Sequence, residues 1–204
     1  MKIAITGGIG SGKSTVCKIF NELGIDTFDS DYHAKQLYFI PEIKNQVVEV
    51  VGGNVLTDNE IDLKKLSNYC FNDNILRNKI VDIISDGVFD RYYKFETKSK
   101  SPYTLFESAI ILNTDRYKRF DKLIGIISDD DIRIKRVMER SGHTEEQVRL
   151  RMNTQLPNSE IVERCAFIIQ NNWGLKRLEE QVKDIHNIIL GNIKTKRYGY
   201  IKRN

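Results

Sequence analysis

Long apolar runs are missing from this chain of 204 residues. No stretch approaches the ~20 apolar residues that a membrane-spanning helix requires, so a helical membrane protein is excluded. The opening segment, Met1-Lys2-Ile3-Ala4-Ile5-Thr6, runs straight into glycines. It lacks the apolar core and small-residue cleavage site of a signal peptide, so a cytosolic protein is expected. Cysteine is scarce. Cys17, Cys70 and Cys165 are odd in number and far apart, and no Cys-x-x-Cys pair occurs. Neither a disulfide framework nor a zinc site is indicated, and the three read as small reduced hydrophobes. Internal repeats and low-complexity tracts are also absent. A basic surface is missing too, although the net charge is +4. Five of the 32 basic residues (Lys194, Lys196, Arg197, Lys202 and Arg203) lie in an acid-free tail, leaving 27 against 28 acids through residue 193. Total charge therefore gives no support to a nucleic-acid-binding role, and the tail reads as a solubilising end.

What is present is ordinary for one globular domain, with 40% hydrophobic and 29% charged residues. Ile3-Ala4-Ile5 reads as a short buried strand. Val16, Ile19, Phe20 and Leu23 recur at helical spacing, predicting a helix from about Gly12 to Leu23 that Gly24 ends. A short strand over Ile25–Phe28 leads to Asp29-Ser30-Asp31. Residues 32–98 read as mostly helical, with Pro41 restarting the chain and Asp62 and Asp73 as helix caps. Further strands are expected at Tyr103–Glu107, Leu123–Ser128 and Ala166–Gln170, and a last helix carries Leu175, Leu178, Val182, Ile185 and Ile189. Strands alternating with helices predict an α/β fold built on a parallel sheet flanked by helices.

Between the first strand and helix lies Gly7-Gly8-Ile9-Gly10-Ser11-Gly12-Lys13-Ser14, which satisfies the pattern G-x-x-x-x-G-K-[ST]. Glycines permit the backbone angles that turn successive N–H groups inward as an anion nest, and the helix that follows adds its positive end. Lys13 is then placed for the β- and γ-phosphates of a nucleoside triphosphate, and the Ser14 hydroxyl for Mg²⁺. The strand before and the helix after weigh against a merely flexible turn. No Asn-Lys-x-Asp stretch occurs, so a guanine-reading switch of the Ras type is excluded.

Two further features point to phosphoryl transfer onto a small molecule. Asp31 follows the second strand, where a carboxylate can accept or orient a hydroxyl proton; helix capping is the alternative. Arg133, Arg136 and Arg140 are spaced to share one helical face, Ser141-Gly142 breaks that helix, and Thr144 with Gln147 forms a capping box that starts the next. A segment over about 133–155 thus reads as an Arg-rich lid for phosphates, with a solvated face paired to Asp129, Asp130 and Asp131 as its alternative.

These residues resemble the dephospho-CoA kinase family. The run from Thr6 through Thr15, Leu23-Gly24, Asp29-Ser30-Asp31 with Ala34, the stretch Arg140-Ser141-Gly142-His143-Thr144-Glu145-Glu146-Gln147, then Arg151, Gln155 and Leu156-Pro157, and Phe167-Ile168-Ile169-Gln170-Asn171 carry the resemblance. It spans about residues 1–190. It implies a P-loop kinase core over 1–193 with a helical acceptor-binding part near 32–98, the Arg-rich lid near 133–155, and the basic tail 194–204 outside. It implies that ATP, with Mg²⁺, phosphorylates the ribose 3′-hydroxyl of dephospho-CoA, the last step of coenzyme A biosynthesis. Asp31 is the implied base, and Lys13 and Arg140 neutralise transferring charge. Gly8, Gly10, Ser11, Gly12, Lys13, Ser14, Thr15 and Arg136 hold the nucleotide, Asn171 lies near adenine, and Asp31 and Lys35 face the acceptor. Lys35 stands where family members often carry Arg, which keeps the charge without the bidentate fork. Other departures fall at Asp62-Leu63, Ser85-Asp86, Ile110-Ile111-Leu112-Asn113 and Cys165-Ala166. Glu107, at a strand end, is a candidate for indirect contact with Mg²⁺. A monomer without nucleic-acid or membrane partners is expected. The alternatives are a related kinase acting on another hydroxyl (nucleoside, nucleotide or sugar) and a nucleotide-binding module without turnover.

Overall fold

The structure is a computed structural model. It describes residues 1–201, with side chains described for 1–71 and 73–193, so the basic side chains of the tail lie outside the described residues. The chain divides into two compact units, residues 1–28 with the chain from 99 onward, and residues 29–98.

The first unit is built on a five-stranded sheet. Its strands are β1 (Lys2–Thr6), β2 (Thr27–Asp29), β5 (Thr104–Glu107), β6 (Lys122–Ile127) and β7 (Phe167–Gln170), in the order β2-β5-β1-β6-β7. β1 pairs in parallel with β5 and with β6, and β6 in parallel with β7. β1 is central, which is why Ile3, Ala4 and Ile5 form an unbroken apolar run with no exposure. Helix α1 (Lys13–Glu22) carries Val16, Ile19 and Phe20 into the core. The C-terminal helix α9 (Leu175–Ile201) adds Leu178, Val182, Ile185 and Ile189 to the same cluster with Leu105, Ile124, Ile126 and Ile169. Tyr103 is buried there, and its hydroxyl shares a 2.8 Å hydrogen bond with His186 Nδ1. α6 (Asp130–Ser141), α7 (Glu145–Asn153) and α8 (Asn158–Arg164) lie between β6 and β7 in sequence. α8 packs closely over β6: a Cβ at Gly125 would stand 2.6 Å from Ile161 Cγ2 and 3.1 Å from Cys165 Sγ. Burial pushes the Cys165 thiol up to about 11, and all three cysteines are free thiols, as read from the sequence.

The second unit holds α2 (Ser30–Leu37), α3 (Pro41–Val51), α4 (Leu63–Asn72) and α5 (Asn74–Lys98). Its core joins Val47, Val55, Ile61, Leu66 and Ile80. The expected caps are present: Asp62 accepts from the amides of Lys64 and Lys65, and Asp73 from those of Ile75 and Leu76. The helical expectation for 32–98 needs one correction. A short hairpin, β3 (Leu56–Thr57) with β4 (Glu60–Ile61), interrupts it, and its turn residues Asp58 and Asn59 take positive φ of 50° and 62°. Both angles positive make the turn one whose twist matches a two-stranded ribbon. Among the described residues no helix is long and apolar enough to cross a membrane.

The tight seat of α8 gives a stability prediction. Gly125→Val overfills the space against Ile161, Ile168 and Cys165 and should cost about 1–3 kcal/mol. Urea unfolding checks this; an unchanged midpoint would show that α8 yields freely.

Candidate active site

β1 ends at Thr6 and α1 begins at Lys13, so residues 7–12 must turn the chain from strand to helix. Gly10 and Gly12 do so with φ of 76° and 96°, angles that side-chain-bearing residues rarely adopt. Gly12 is also the N-terminal boundary residue of α1, and no side chain caps that helix. An uncapped helix start with its amides and positive dipole end is suited to an anion.

The loop's carbonyls can be followed one by one. Gly7 O accepts from Lys13 Nζ at 3.0 Å, Gly8 O from the Ser11 amide at 3.2 Å, and Gly12 O from the Val16 amide at 3.1 Å. The other three are met by side chains from distant elements. Ile9 O accepts from Arg133 Nε at 3.0 Å, Gly10 O from Arg136 Nη1 at 3.5 Å, and Ser11 O from Asn171 Nδ2 at 2.9 Å. The Arg136 contact is the longest and weakest of these. On the donor side, the Ile9 amide donates to Gln155 Oε1 at 2.7 Å. The loop is thus fastened from outside by α6, by the segment after α7, and by the end of β7.

This geometry refines the expectation of three guanidiniums sharing one open face. Arg133 is only 5% exposed. Besides Ile9 O it holds Asp130 at 3.0 Å, and burial pulls its pKa below the usual arginine value while Asp130 opposes the shift. It is neither a solvated basic residue nor an open phosphate ligand. Arg136 is half-buried and also reaches Asn171 Oδ1 at 3.3 Å and Ser128 Oγ at 3.4 Å. Arg140 is exposed in the last turn of α6, one residue before Ser141, whose Oγ it reaches at 3.5 Å. Gly142 ends that helix in the left-handed conformation, and Thr144 and Gln147 form the capping box read from the sequence. Arg149 pairs with Glu145 at 2.8 Å on the surface.

Asn171 is 6% exposed, and its amide group is engaged on both sides, by Ser11 O and by Arg136. A Cβ on Gly12 would collide with its Nδ2, so glycine there is required by the approach of Asn171 as well as by φ. Ser128 ties the ends of β6 and β7 together, its Oγ lying 2.9 Å from both Asn171 O and Asn172 Oδ1. Ser14 and Thr15 are exposed on the first turn of α1, and Ser11 is buried with its hydroxyl unpartnered. Glu107 lies opposite Ile5 in register, at the end of β1 that feeds the loop. In the second unit, Asp29 caps α2 by accepting from the Tyr32 amide at 2.9 Å; Asp31 and Lys35 are exposed on that helix. Sequence reasoning places Gln155 in the lid segment and Ile9 in the loop but not their contact with each other, and it gives Ser128 no role. An apolar residue inside a glycine-rich loop, Ile9, was the available signal.

A parallel sheet, a glycine-rich loop entering an uncapped helix and an Arg-bearing helix pair behind it define the class, a P-loop kinase for small molecules. The sequence model of the dephospho-CoA kinase family matches residues 1–177. The chain is 33% identical over 187 residues to a dephospho-CoA kinase of Geobacillus kaustophilus, covering 89% of this chain and 93% of that one. A Thermus thermophilus crystal structure superimposes with a TM-score of 0.81 at 23% identity, covering 92% of this chain and 96% of its own. A dephospho-CoA kinase structure from Campylobacter jejuni gives 0.63 at 24%, covering 94% and 100%. This chain belongs to the dephospho-CoA kinase family. It is an enzyme that uses ATP to phosphorylate dephospho-CoA in coenzyme A biosynthesis.

The engaged amide of Asn171 makes a distinguishing prediction. Asn171→Ala leaves Ser11 O without its donor and should destabilise the fold by about 1–3 kcal/mol. Affinity for ATP and for inorganic triphosphate should fall by the same factor. A loss confined to ATP would instead assign Asn171 to the base.

Proposed function

We propose that transfer goes to the ribose 3′-hydroxyl of dephospho-CoA and that the roles fall as follows. Gly8, Gly10, Ser11, Gly12, Lys13, Ser14 and Thr15 surround the β- and γ-phosphates of ATP, held by the Lys13 ammonium and by the loop amides other than those of Ile9 and Ser11, which are spent on Gln155 Oε1 and Gly8 O. Asp31 accepts the proton as the acceptor oxygen bonds to the γ-phosphorus and the bond to the β-phosphate oxygen breaks, releasing ADP. Arg140 neutralises charge on the moving phosphoryl group. Arg136 steadies the loop on the nucleotide side, Asn171 lies on the adenine side but acts by holding Ser11 O rather than by contacting the base, and Lys35 meets the negative charge of the acceptor.

The observation that carries the phosphate side of this reading is the uncapped start of α1 behind the glycine-rich loop; the acceptor follows from the family. Division of labour in α2 supports the role of Asp31: its neighbour Asp29 performs the capping, which answers the alternative of Asp31 as the cap. Arg140 has the exposure and the adjacent Gly142 break that a closing residue needs.

Mg²⁺ fits the residues present. Ser14 offers an exposed hard oxygen on the first helical turn, and among the described residues there is no cluster of three metal-ligating side chains. Ser14 would hold the ion, as Mg²⁺ sites at phosphates need few protein ligands. When bound, it supplies charge neutralisation at the phosphates; Glu107 is proposed to act on it indirectly. The enzyme is proposed to work in the cytoplasm as a monomer without nucleic-acid or membrane partners.

ADP release coupled to a panel of acceptors, with the product identified, tests the reading. Dephospho-CoA should be converted to CoA, and turnover with some other acceptor alone would overturn it. Asp31→Asn should lower kcat by about 10² or more with ATP affinity nearly intact. Full turnover in that variant would remove Asp31 from the chemistry. Lys13→Ala should abolish turnover and weaken ATP binding, and normal activity would contradict the role of the loop lysine.

A further inference from the structure

Ile9 sits in the middle of a loop otherwise made of small residues, and both its carbonyl and its amide are held from outside that loop. Its carbonyl is held by Arg133 of α6 and its amide by Gln155, which follows α7. Its side chain packs against the cluster formed by Ile134 and Val137 of α6 and Val148 of α7, a cluster that Met152 of α7 also joins. One residue of the phosphate loop therefore bridges the seam between two helices. Gln155 is itself set by the end of α7, because its amide donates to Met152 O at 3.0 Å. A displacement of α7 relative to α6 must then either break the bond from the Ile9 amide to Gln155 or carry Ile9 with it. Every main-chain angle in the loop is linked to its neighbours, so moving Ile9 re-aims the amides that face the phosphates.

We propose that Gln155 is a positioning residue that couples the α6–α7 hairpin to the phosphate loop through Ile9. The loop's nucleotide-binding shape depends on α7 staying where it lies, and by reciprocity a bound nucleotide steadies α7 in that place. Gln155 acts through the Ile9 amide, which fixes what each substitution does. Methionine matches its length without an acceptor oxygen at the same reach, whereas glutamate keeps the acceptor. The inference rests on the proposal that this loop holds the nucleotide phosphates, but not on the identity of the acceptor.

Hydrogen exchange and ADP binding on the full chain test it. Gln155→Met should speed amide exchange in residues 7–14 and weaken ADP binding by about tenfold, within the usual range for coupled sites. The KM for dephospho-CoA and exchange in the sheet should stay as in the parent. Gln155→Glu, measured by exchange without nucleotide, should keep the parent's protection of 7–14. In the unmodified chain, ADP should slow exchange in 145–155 together with 7–14. Parent-like loop exchange and ADP affinity in Gln155→Met would overturn the proposal. So would a general loss of protection across the sheet in that variant, which marks a merely structural role, or equal loosening by Gln155→Glu. ADP that protects 7–14 and leaves 145–155 unchanged would overturn the coupling even if Gln155→Met did not fold. ADP binding and exchange require no acceptor, so a wrong acceptor would leave all these results untouched and show only in the product assay.

Discussion

A loop that turns its amides toward a phosphate must turn carbonyls the other way, and those carbonyls need donors. Here the three in the middle of the loop are met from outside, at Ile9 by Arg133, at Gly10 by Arg136 and at Ser11 by Asn171. Without such donors the loop would present a row of acceptors to a protein interior, where each unpaired group costs about 1–3 kcal/mol. The nest is therefore held in shape before any ligand arrives, which is where electrostatic stabilisation of phosphoryl transfer draws its strength. Arg suits the position facing Ile9, since its guanidinium stays charged when buried and can serve a carbonyl and Asp130 together.

The rest of the first unit can be understood as support for those three donors. Asn171 stands at the end of β7, whose register with β6 is fixed by parallel pairing from Ile124 with Phe167 to Ile127 with Gln170. Ser128 fastens the same two strand ends just beyond the sheet. Arg133 and Arg136 stand on α6, which begins where β6 ends, so one strand delivers both to the loop. Behind them, the packed apolar cluster of α1, α9 and the sheet leaves the strand ends little freedom.

What could be read from the sequence divides by range. The strand, loop and first helix followed from an apolar run, glycines and helical spacing, all local signals. So did the caps at Asp62 and Asp73 and the capping box at Thr144 and Gln147, because each is a contact over two or three residues. The 56–61 hairpin was missed because its strands are two residues each, too short for an alternation to register, and its turn uses Asp58-Asn59 without glycine. The spacing of Arg133, Arg136 and Arg140 located their shared face but not what that face meets. The buried Arg133 meets the carbonyl of Ile9, 124 residues away, and no pattern along the chain reports that approach. Asn171 was attached to the site by resemblance, while its bond to Ser11 became visible only in three dimensions.

Outside donors thus shape the phosphate loop in advance. Structures of the unmodified enzyme with and without bound ADP, compared over residues 7–14, test this most directly. The loop backbone should superimpose within about 1 Å, as in preorganised sites, with the bonds from Arg133 and Asn171 present in both. A loop that is disordered or differently turned without ADP, and acquires those bonds only on binding, would contradict it.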